Sequence, residues 1–196
     1  MGVYLNPGNV DFQEVLNSKI YVDKSELIQY TNSVLRTTQK YICVSRPRRF
    51  GKSMAANMLT AYYSRGCDSR EMFQGLKIAK HTGFEEHLNQ YNVIHLNMRD
   101  YLTESENMKQ LIQFVEEDLL DELQQEFADL RMPRRKTLVK VLEQAFAQYK
   151  IPFVFIIDEW DCIFRVHKSD AASQKTYLDF LRNLLKDKSY IALAYM

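Results

Sequence analysis

The stretch VSRPRRFGKS, residues 44–53, predicts a phosphate-binding loop that joins a strand to a helix. A β-prone run, residues 41–45, leads into it, and apolar residues at helical spacing follow it. Phosphate binding at such a turn requires converging backbone N–H groups, a helix N-terminus and a cation. Gly51 allows the backbone to approach closely, Lys52 supplies the cation, and the Ser53 hydroxyl is a ligand for Mg²⁺.

The loop departs from the usual pattern G-x-x-x-x-G-K-[ST] at one position, because Arg46 stands where the first glycine would be. By itself the segment is therefore also compatible with a solvated basic loop. The loop contains three arginines, Arg46, Arg48 and Arg49, and their role is open. They would bind phosphate groups or nucleic acid, or they would lie in solvent with one of them paired to an acid of residues 1–40. We favour phosphate binding by one or two of them, with Arg48 and Arg49 as the candidates.

A second motif lies far along the chain, where the apolar run FVFII, residues 153–157, is followed directly by Asp158 and Glu159. A buried strand that ends in an acid is typical of a Walker B motif, in which Asp holds Mg²⁺ and Glu polarises the attacking water. Taken alone, Asp158 would equally be a turn or cap residue. Two half-motifs in the correct order, each at the end of a strand, favour the catalytic interpretation.

The remaining pattern predicts an α/β fold with a mainly parallel sheet. Strands are expected at residues 41–45, 91–98, 153–157 and 190–195, with amphipathic helices between them. In such sheets ligands bind at the carboxyl ends of the strands. We divide the chain into a preamble of short helices, residues 1–40, and a core, residues 41–196.

Composition excludes several classes of protein. A chain of 196 residues with 46% hydrophobic and 26% charged residues is a folded domain and not a disordered segment. A net charge of +1 provides no global attraction to nucleic acid or membranes. The apolar runs are too short to cross a bilayer, a signal peptide is not evident, and the three cysteines are far apart. We therefore expect a cytoplasmic protein with no membrane partner.

Three segments together resemble the predicted AAA-ATPase-like proteins of bacteria. These segments are YVDKS (21–25), RPRRFGKS (46–53) and IDEWD (157–161). The arginine-rich loop is that family's own form of Walker A, so the resemblance explains Arg46. It implies a three-layer P-loop NTPase of the additional-strand type. Walker A would follow the first strand and Walker B the third, with the strand at residues 190–195 between them.

The resemblance also implies a site and its cofactors, ATP and Mg²⁺. Lys52 and Glu159 would be catalytic, and Ser53 and Asp158 would hold the metal. Asp23, near Lys24, would contact the adenine or ribose, although a helix-capping role explains Asp23 equally well. The predicted nucleotide-binding residues in full are Asp23, Arg48, Arg49, Phe50, Gly51, Lys52, Ser53 and Met54.

Proteins of this family usually carry a PD-(D/E)XK nuclease-like domain after the ATPase domain. The chain resembles the N-terminal ATPase portion, so we expect a C-terminally truncated core that lacks a fifth strand. The resulting open edge of the first strand would favour homo-oligomers. Nucleic acid would be reached through the effector domain.

Three functions remain open from the sequence. The first is Mg²⁺-dependent ATP hydrolysis that switches an effector domain. The second is a small-molecule P-loop kinase, which the Asp158–Glu159 pair disfavours because it suits water activation. The third is a nucleotide-gated or nucleic-acid-binding module without turnover. Two roles also remain open for Asp161, which would either support the metal ligands or cap a helix.

Overall fold

The computed structural model describes residues 2–45 and 50–196 and has a four-stranded parallel sheet at its centre. The strands are β1 (Tyr41–Ile42), β2 (Asn92–Asn97), β3 (Phe153–Asp158) and β4 (Ile191–Tyr195). Their order is β1-β4-β3-β2, and each neighbouring pair is parallel. This confirms the α/β parallel fold and the additional strand between the first and third strands.

The apolar runs explain why β3 and β4 are central. Every residue of β4, and every residue of β3 before Asp158, is buried. A strand that is buried on both faces of the sheet has a continuous run of apolar residues in its sequence and not an alternating pattern. Their register places Val154 opposite Leu193 and Ile156 opposite Tyr195.

The first strand is shorter than the predicted residues 41–45. It lies at the edge of the sheet and, in the part of the chain that the structure describes, pairs with β4 alone, through Tyr41 and Ile42. A last hydrogen bond runs from the Val44 N–H to the Met196 carbonyl at 2.7 Å. The segment after β1 therefore still lies beside the end of β4 at Val44.

Ten helices cover the sheet within residues 2–45 and 50–196. They are α1 (Val10–Leu16), α2 (Glu26–Val34), α3 (Lys52–Tyr63), α4 (Arg70–Phe73), α5 (Phe84–His87), α6 (Met98–Glu104), α7 (Met108–Glu126), α8 (Leu138–Tyr149), α9 (Cys162–Val166) and α10 (Ala171–Leu185). A 3₁₀ turn, Lys77–Lys80, lies between α4 and α5. None of these helices is both long and apolar enough to span a membrane.

Two hydrophobic cores, one on each side of the sheet, make the three predicted layers. Because side chains alternate along a strand, Val154 and Ile156 of β3 face α2 and α3, whereas Phe153 and Phe155 face the opposite side. That opposite core is built with α7, α8 and α10. Helix α3 is thereby fixed across the sheet, with its N-terminus beside the end of β3.

The segment before α1 is held against helix α7, chiefly by the carboxylate of Glu122. Glu122 of α7 accepts backbone hydrogen bonds from Val3, Tyr4 and Leu5, at 2.7, 3.0 and 2.6 Å. Leu5 also forms an isolated antiparallel bridge to Ile94 of β2. These contacts hold the N-terminal segment beside β2, where Val3 and Tyr4 line a polar cavity.

Candidate functional site

Helix α3 begins with a glycine in the left-handed conformation, as a phosphate-binding turn requires. Gly51 is its N-cap residue with φ +77°, and no side chain among the described residues caps the first turn. A Cβ at this position would be strained, and it would meet the Lys24 Nζ at 3.1 Å. The Lys24 Nζ donates a hydrogen bond to the Phe50 carbonyl at 3.0 Å. The N–H groups of the first turn are therefore available to an anion.

The end of β3 turns sharply after its last residue, Asp158. Glu159 has φ +52°, and its N–H donates to the Asp158 Oδ1 at 2.8 Å. A left-handed residue other than glycine is uncommon, and such residues cluster at functional sites. The turn directs the strand-end carboxylates toward the start of α3.

Lys52, Asp158 and Glu159 line one narrow cavity, together with Val44 and Tyr195. Its volume is about 10 Å³, which is the space of one water molecule. The residues meet because the parallel strands β1 and β3 present their carboxyl ends at the same edge of the sheet. Two segments far apart in sequence are thus brought together as the two motifs predict.

A second, larger cavity of about 400 Å³ lies on the next face of α3 and is mostly polar. Ser53, Asn57 and Thr60 line it from the helix, and Asp158 lines it from the end of β3. These helix positions share a face because they are four and three residues apart. The cavity therefore contains both predicted metal ligands, Ser53 and Asp158.

The far wall of this polar cavity includes residues to which the sequence analysis assigned no role. His95 and Asn97 come from β2, Asp100 and Glu104 from α6, and Asp11 from α1. Asn97 is the register partner of Asp158. The available signal was the alternation of His95 and Asn97 with apolar residues as β2 approaches its carboxyl end.

His95 is held inside this wall by Thr60, whose Oγ1 lies 3.1 Å from the His95 Nδ1. Burial lowers the pKa of His95, and the nearby negative charges of Asp158 and Asp11 only partly oppose that shift. The imidazole is therefore neutral near pH 7. A neutral ring adds no positive charge next to the predicted metal ligands.

A third cavity, of about 480 Å³, lies on the opposite face of α3 and is mostly apolar. Phe50, Gly51 and Met54 line it from the start of α3, and Tyr21 and Val22 line it from the preamble. Burial, and to a lesser degree the Asp23 carboxylate, raises the pKa of Tyr21 to about 12. The ring is therefore uncharged, so this cavity suits a flat, weakly polar group.

Asp23 lies beside the apolar cavity, and both of its carboxylate oxygens have backbone partners. Oδ1 accepts the N–H of Ser25 and Oδ2 accepts that of Lys77, each at 2.8 Å. Burial alone would raise the pKa of Asp23, but these hydrogen bonds outweigh it and lower the pKa. Asp23 thus fixes the loop before α2, whereas its contact with a nucleotide stays a prediction. The N-cap residue of α2 is Ser25.

Two other predictions concern the arginine loop and Asp161. Arg48 and Arg49, with Arg46, lie outside the described residues, so their predicted contacts with phosphate stay predictions. Asp161 is the N-cap residue of α9, yet its side chain caps no N–H group. It binds Arg165 of α9 instead, and Arg165 also binds Glu159.

Comparison with known proteins agrees with this arrangement. The family model described as "Predicted AAA-ATPase" matches residues 7–192, nearly the whole chain. No curated protein matches the chain, and no solved structure does. With a parallel sheet of the expected strand order and a nucleotide-binding pattern at its carboxyl edge, the chain belongs to the predicted AAA-ATPase-like family.

Proposed function

We propose that this chain binds ATP with Mg²⁺ and hydrolyses it to ADP and phosphate. The observation that carries the proposal is that Lys52 lines the same cavity as Asp158 and Glu159. A cation, a metal-binding carboxylate and a base around one phosphate are what phosphoryl transfer to water requires.

Lys52, at the first position of α3, would stabilise the negative charge on the transferring phosphoryl group. The phosphates would lie at the open N-terminus of α3, with Arg48 and Arg49 as further phosphate ligands. Ser53 and Asp158 provide oxygen donors on a shared cavity wall, and the Asp158 Oδ2 accepts no hydrogen bond from the described residues. Oxygen donors fit Mg²⁺, which would neutralise phosphate charge when bound.

Glu159 would act as the general base. It would take a proton from the attacking water while the water oxygen bonds to the γ-phosphorus and the bond to the β,γ-bridging oxygen breaks. ADP leaves with that oxygen, and inorganic phosphate carries the new one. The cavity beside Glu159 has the volume of a single water, which supports this role.

The apolar cavity would receive the nucleotide base. Phe50 and Met54 are exposed, at 57% and 39%, although both are large and apolar, so a bound base would remove apolar surface from water. Tyr21 and Lys24 stand at the same cavity and would contact the base or ribose. Asp23 would hold the loop that carries Tyr21 and Lys24, and it is the proposed polar contact to the adenine or ribose.

The turnover would act as a switch for an effector domain outside this sequence. The nuclease-like domain that accompanies similar ATPase domains is the proposed effector. Any contact with nucleic acid would be made through that domain. This part of the proposal rests on the family resemblance alone.

The experiment that tests the site is ATP binding by Lys52→Ala, measured by calorimetry with Mg²⁺ present. We expect at least a tenfold loss of affinity, about 1.4 kcal/mol or more, because the main cation at the phosphates is removed. The matched control is Lys175→Ala, an exposed residue of α10. Equal affinity in Lys52→Ala and in the unaltered chain would refute the assignment.

The polar cavity supports a second candidate function, phosphoryl transfer to a small molecule. With about 400 Å³ next to Ser53 and Asp158, it has room for an acceptor. Asp11, Asp100 and Glu104 would select a cationic acceptor such as an amino alcohol. With ATP radiolabelled at the γ-phosphate, hydrolysis releases all label as inorganic phosphate, whereas a kinase transfers it to added amino alcohols.

A third candidate, a binding module without turnover, depends on the arginine loop. It predicts nucleic-acid affinity that falls steeply with salt and does not change when ATP is added. The net charge of +1 adds no global attraction to nucleic acid. Detection of ATP hydrolysis by the chain would eliminate it.

A further inference from the structure

Arg165 connects the two carboxylates that follow β3 on either side of Trp160. Its Nη2 donates to the Glu159 Oε2, six residues earlier. Its Nη1 donates to the Asp161 Oδ2 at 3.2 Å and lies 3.1 Å from the Asp161 Oδ1. The Arg165 and Glu159 side chains are only 30% and 22% exposed, so water screens this contact less than it screens a surface ion pair.

Glu159 has a fixed backbone but a long side chain, and Arg165 is its hydrogen-bonding partner. The left-handed turn and the bond from the Glu159 N–H to the Asp158 Oδ1 fix where the side chain starts. The bond from Arg165 fixes where it ends. Within the described residues the Glu159 Oε1 accepts no hydrogen bond, so one oxygen is held and the other stays open.

Asp161 holds Arg165 in turn. It does not cap α9, and its Oδ1 is buried without a hydrogen bond from the described residues, although the Arg165 Nη1 is close to it. Partial burial would lower the pKa of Arg165, but the hydrogen bond that Arg165 donates to Glu159 and the charges of both acids raise it. The guanidinium therefore stays charged and is bound on two sides.

We infer that Arg165 is a positioning residue for ATP hydrolysis, holding Glu159 through Oε2 so that Oε1 faces the attacking water, with Asp161 as its anchor. The inference rests on the proposed function. A general base contributes only when its free oxygen is aligned with the proton it removes, and a displacement of about 1 Å can cost about a hundredfold in rate. A stabilising ion pair alone would not affect turnover in this way.

The experiment compares kcat and KM for ATP in Arg165→Ala, Glu159→Gln and the double variant. We expect Arg165→Ala to lower kcat about tenfold to a hundredfold, while KM and the calorimetric ATP affinity change less than about twofold. Arg165→Lys keeps the positive charge but cannot donate to both carboxylates with a planar guanidinium. Its kcat should therefore lie between that of Arg165→Ala and that of the unaltered chain. In the Glu159→Gln background Arg165→Ala should cause no further loss, because the residue it positions is no longer a base.

Two further variants guard against effects on folding. Asp161→Asn removes the anchor charge with little change in shape, and it should lower kcat in the same way by a smaller factor even if Arg165→Ala does not fold. The control is Arg182→Ala. The side chains of Arg182 and of its ion-pair partner Asp179 are 71% and 55% exposed, so this variant should leave kcat unchanged.

The outcomes separate this inference from the proposed function. A normal loss in Glu159→Gln together with unchanged or increased kcat in Arg165→Ala overturns the inference alone. So does an equal loss from Arg165→Ala in both backgrounds, or a loss confined to KM. Absence of ATP turnover in the unaltered chain, or full turnover in Glu159→Gln, overturns the proposed function and the inference with it.

Discussion

The two large cavities beside α3 differ in chemistry although one short helix segment lines both. The apolar cavity is lined from α3 by Met54, Ala55 and Met58, and the polar cavity by Ser53, Asn57 and Thr60. Adjacent residues of a helix point about 100° apart, so Ser53 and Met54 enter different environments. Lys52 faces a third direction, toward Asp158 and Glu159.

Under the proposed function, this difference means that the first turns of α3 separate the tasks of a nucleotide site. The apolar side suits the base, the polar side suits the metal and any acceptor, and the helix N-terminus between them suits phosphate. Binding and chemistry should therefore respond to different substitutions. Changes on the polar side should affect turnover, and changes on the apolar side should affect affinity for the base.

The largest expected effect is in the narrow cavity that Lys52 shares with Asp158 and Glu159, in Glu159→Gln. Loss of the general base should lower kcat for ATP hydrolysis about a hundredfold or more, and ATP affinity should stay within about twofold. Phosphate release under saturating ATP measures the first, and calorimetry measures the second. Glu71→Gln, at an exposed residue of α4, is the matched control. A parallel loss of affinity would remove the distinction between the two sides.

An intermediate effect is expected on the apolar side, in Met54→Asn. Met54 is 39% exposed, so the protein should fold normally, but a base would lose an apolar contact worth about 1.4 kcal/mol, or tenfold in affinity. ATP binding should weaken, whereas binding of inorganic triphosphate, which has no base, should stay constant. If both ligands weaken equally, the apolar cavity does not hold the base.

The smallest effect is expected at the rim, in Asp23→Asn. The Asn side chain keeps one acceptor oxygen but has a donor NH2 group in place of the other, so one of the two N–H groups loses its partner and the free energy of unfolding should fall by about 1 kcal/mol near neutral pH. Because the folded pKa of Asp23 lies below its ordinary value of 3.8, its contribution is complete above that pH and disappears as the pH falls through the folded pKa. Urea unfolding should show a smaller difference in the free energy of unfolding between the unaltered chain and Asp23→Asn at pH 3 than at pH 7. A constant difference would contradict this account of Asp23.

Much of the fold was predictable from local pattern. The apolar run before Asp158 specified a buried strand, and the Gly51-Lys52-Ser53 turn specified the start of α3. The strand order came from the family resemblance and is confirmed. The length of β1 was not predictable from its own β-prone residues, because it depends on the register with β4, which pairs Tyr41 with Ala194 and Ile42 with Tyr195.

The parts of the site that sequence reasoning missed depend on contacts between distant elements. Asp161 and Arg165 have the i, i+4 spacing of a helix pair, but the reach of Arg165 to Glu159 depends on the left-handed turn at Glu159. Asp23 receives the Lys77 N–H from a separate segment. His95 joins the site only because β2 lies next to β3.

The most direct test of the account is the Mg²⁺ dependence of ATP affinity in the unaltered chain and in Asp158→Asn. If the start of α3 and the end of β3 share one nucleotide, Mg²⁺ should raise the affinity of the unaltered chain about tenfold. The increase should disappear in Asp158→Asn, while affinity without Mg²⁺ should be equal or higher. The same Mg²⁺-dependent increase in both proteins would contradict the shared site.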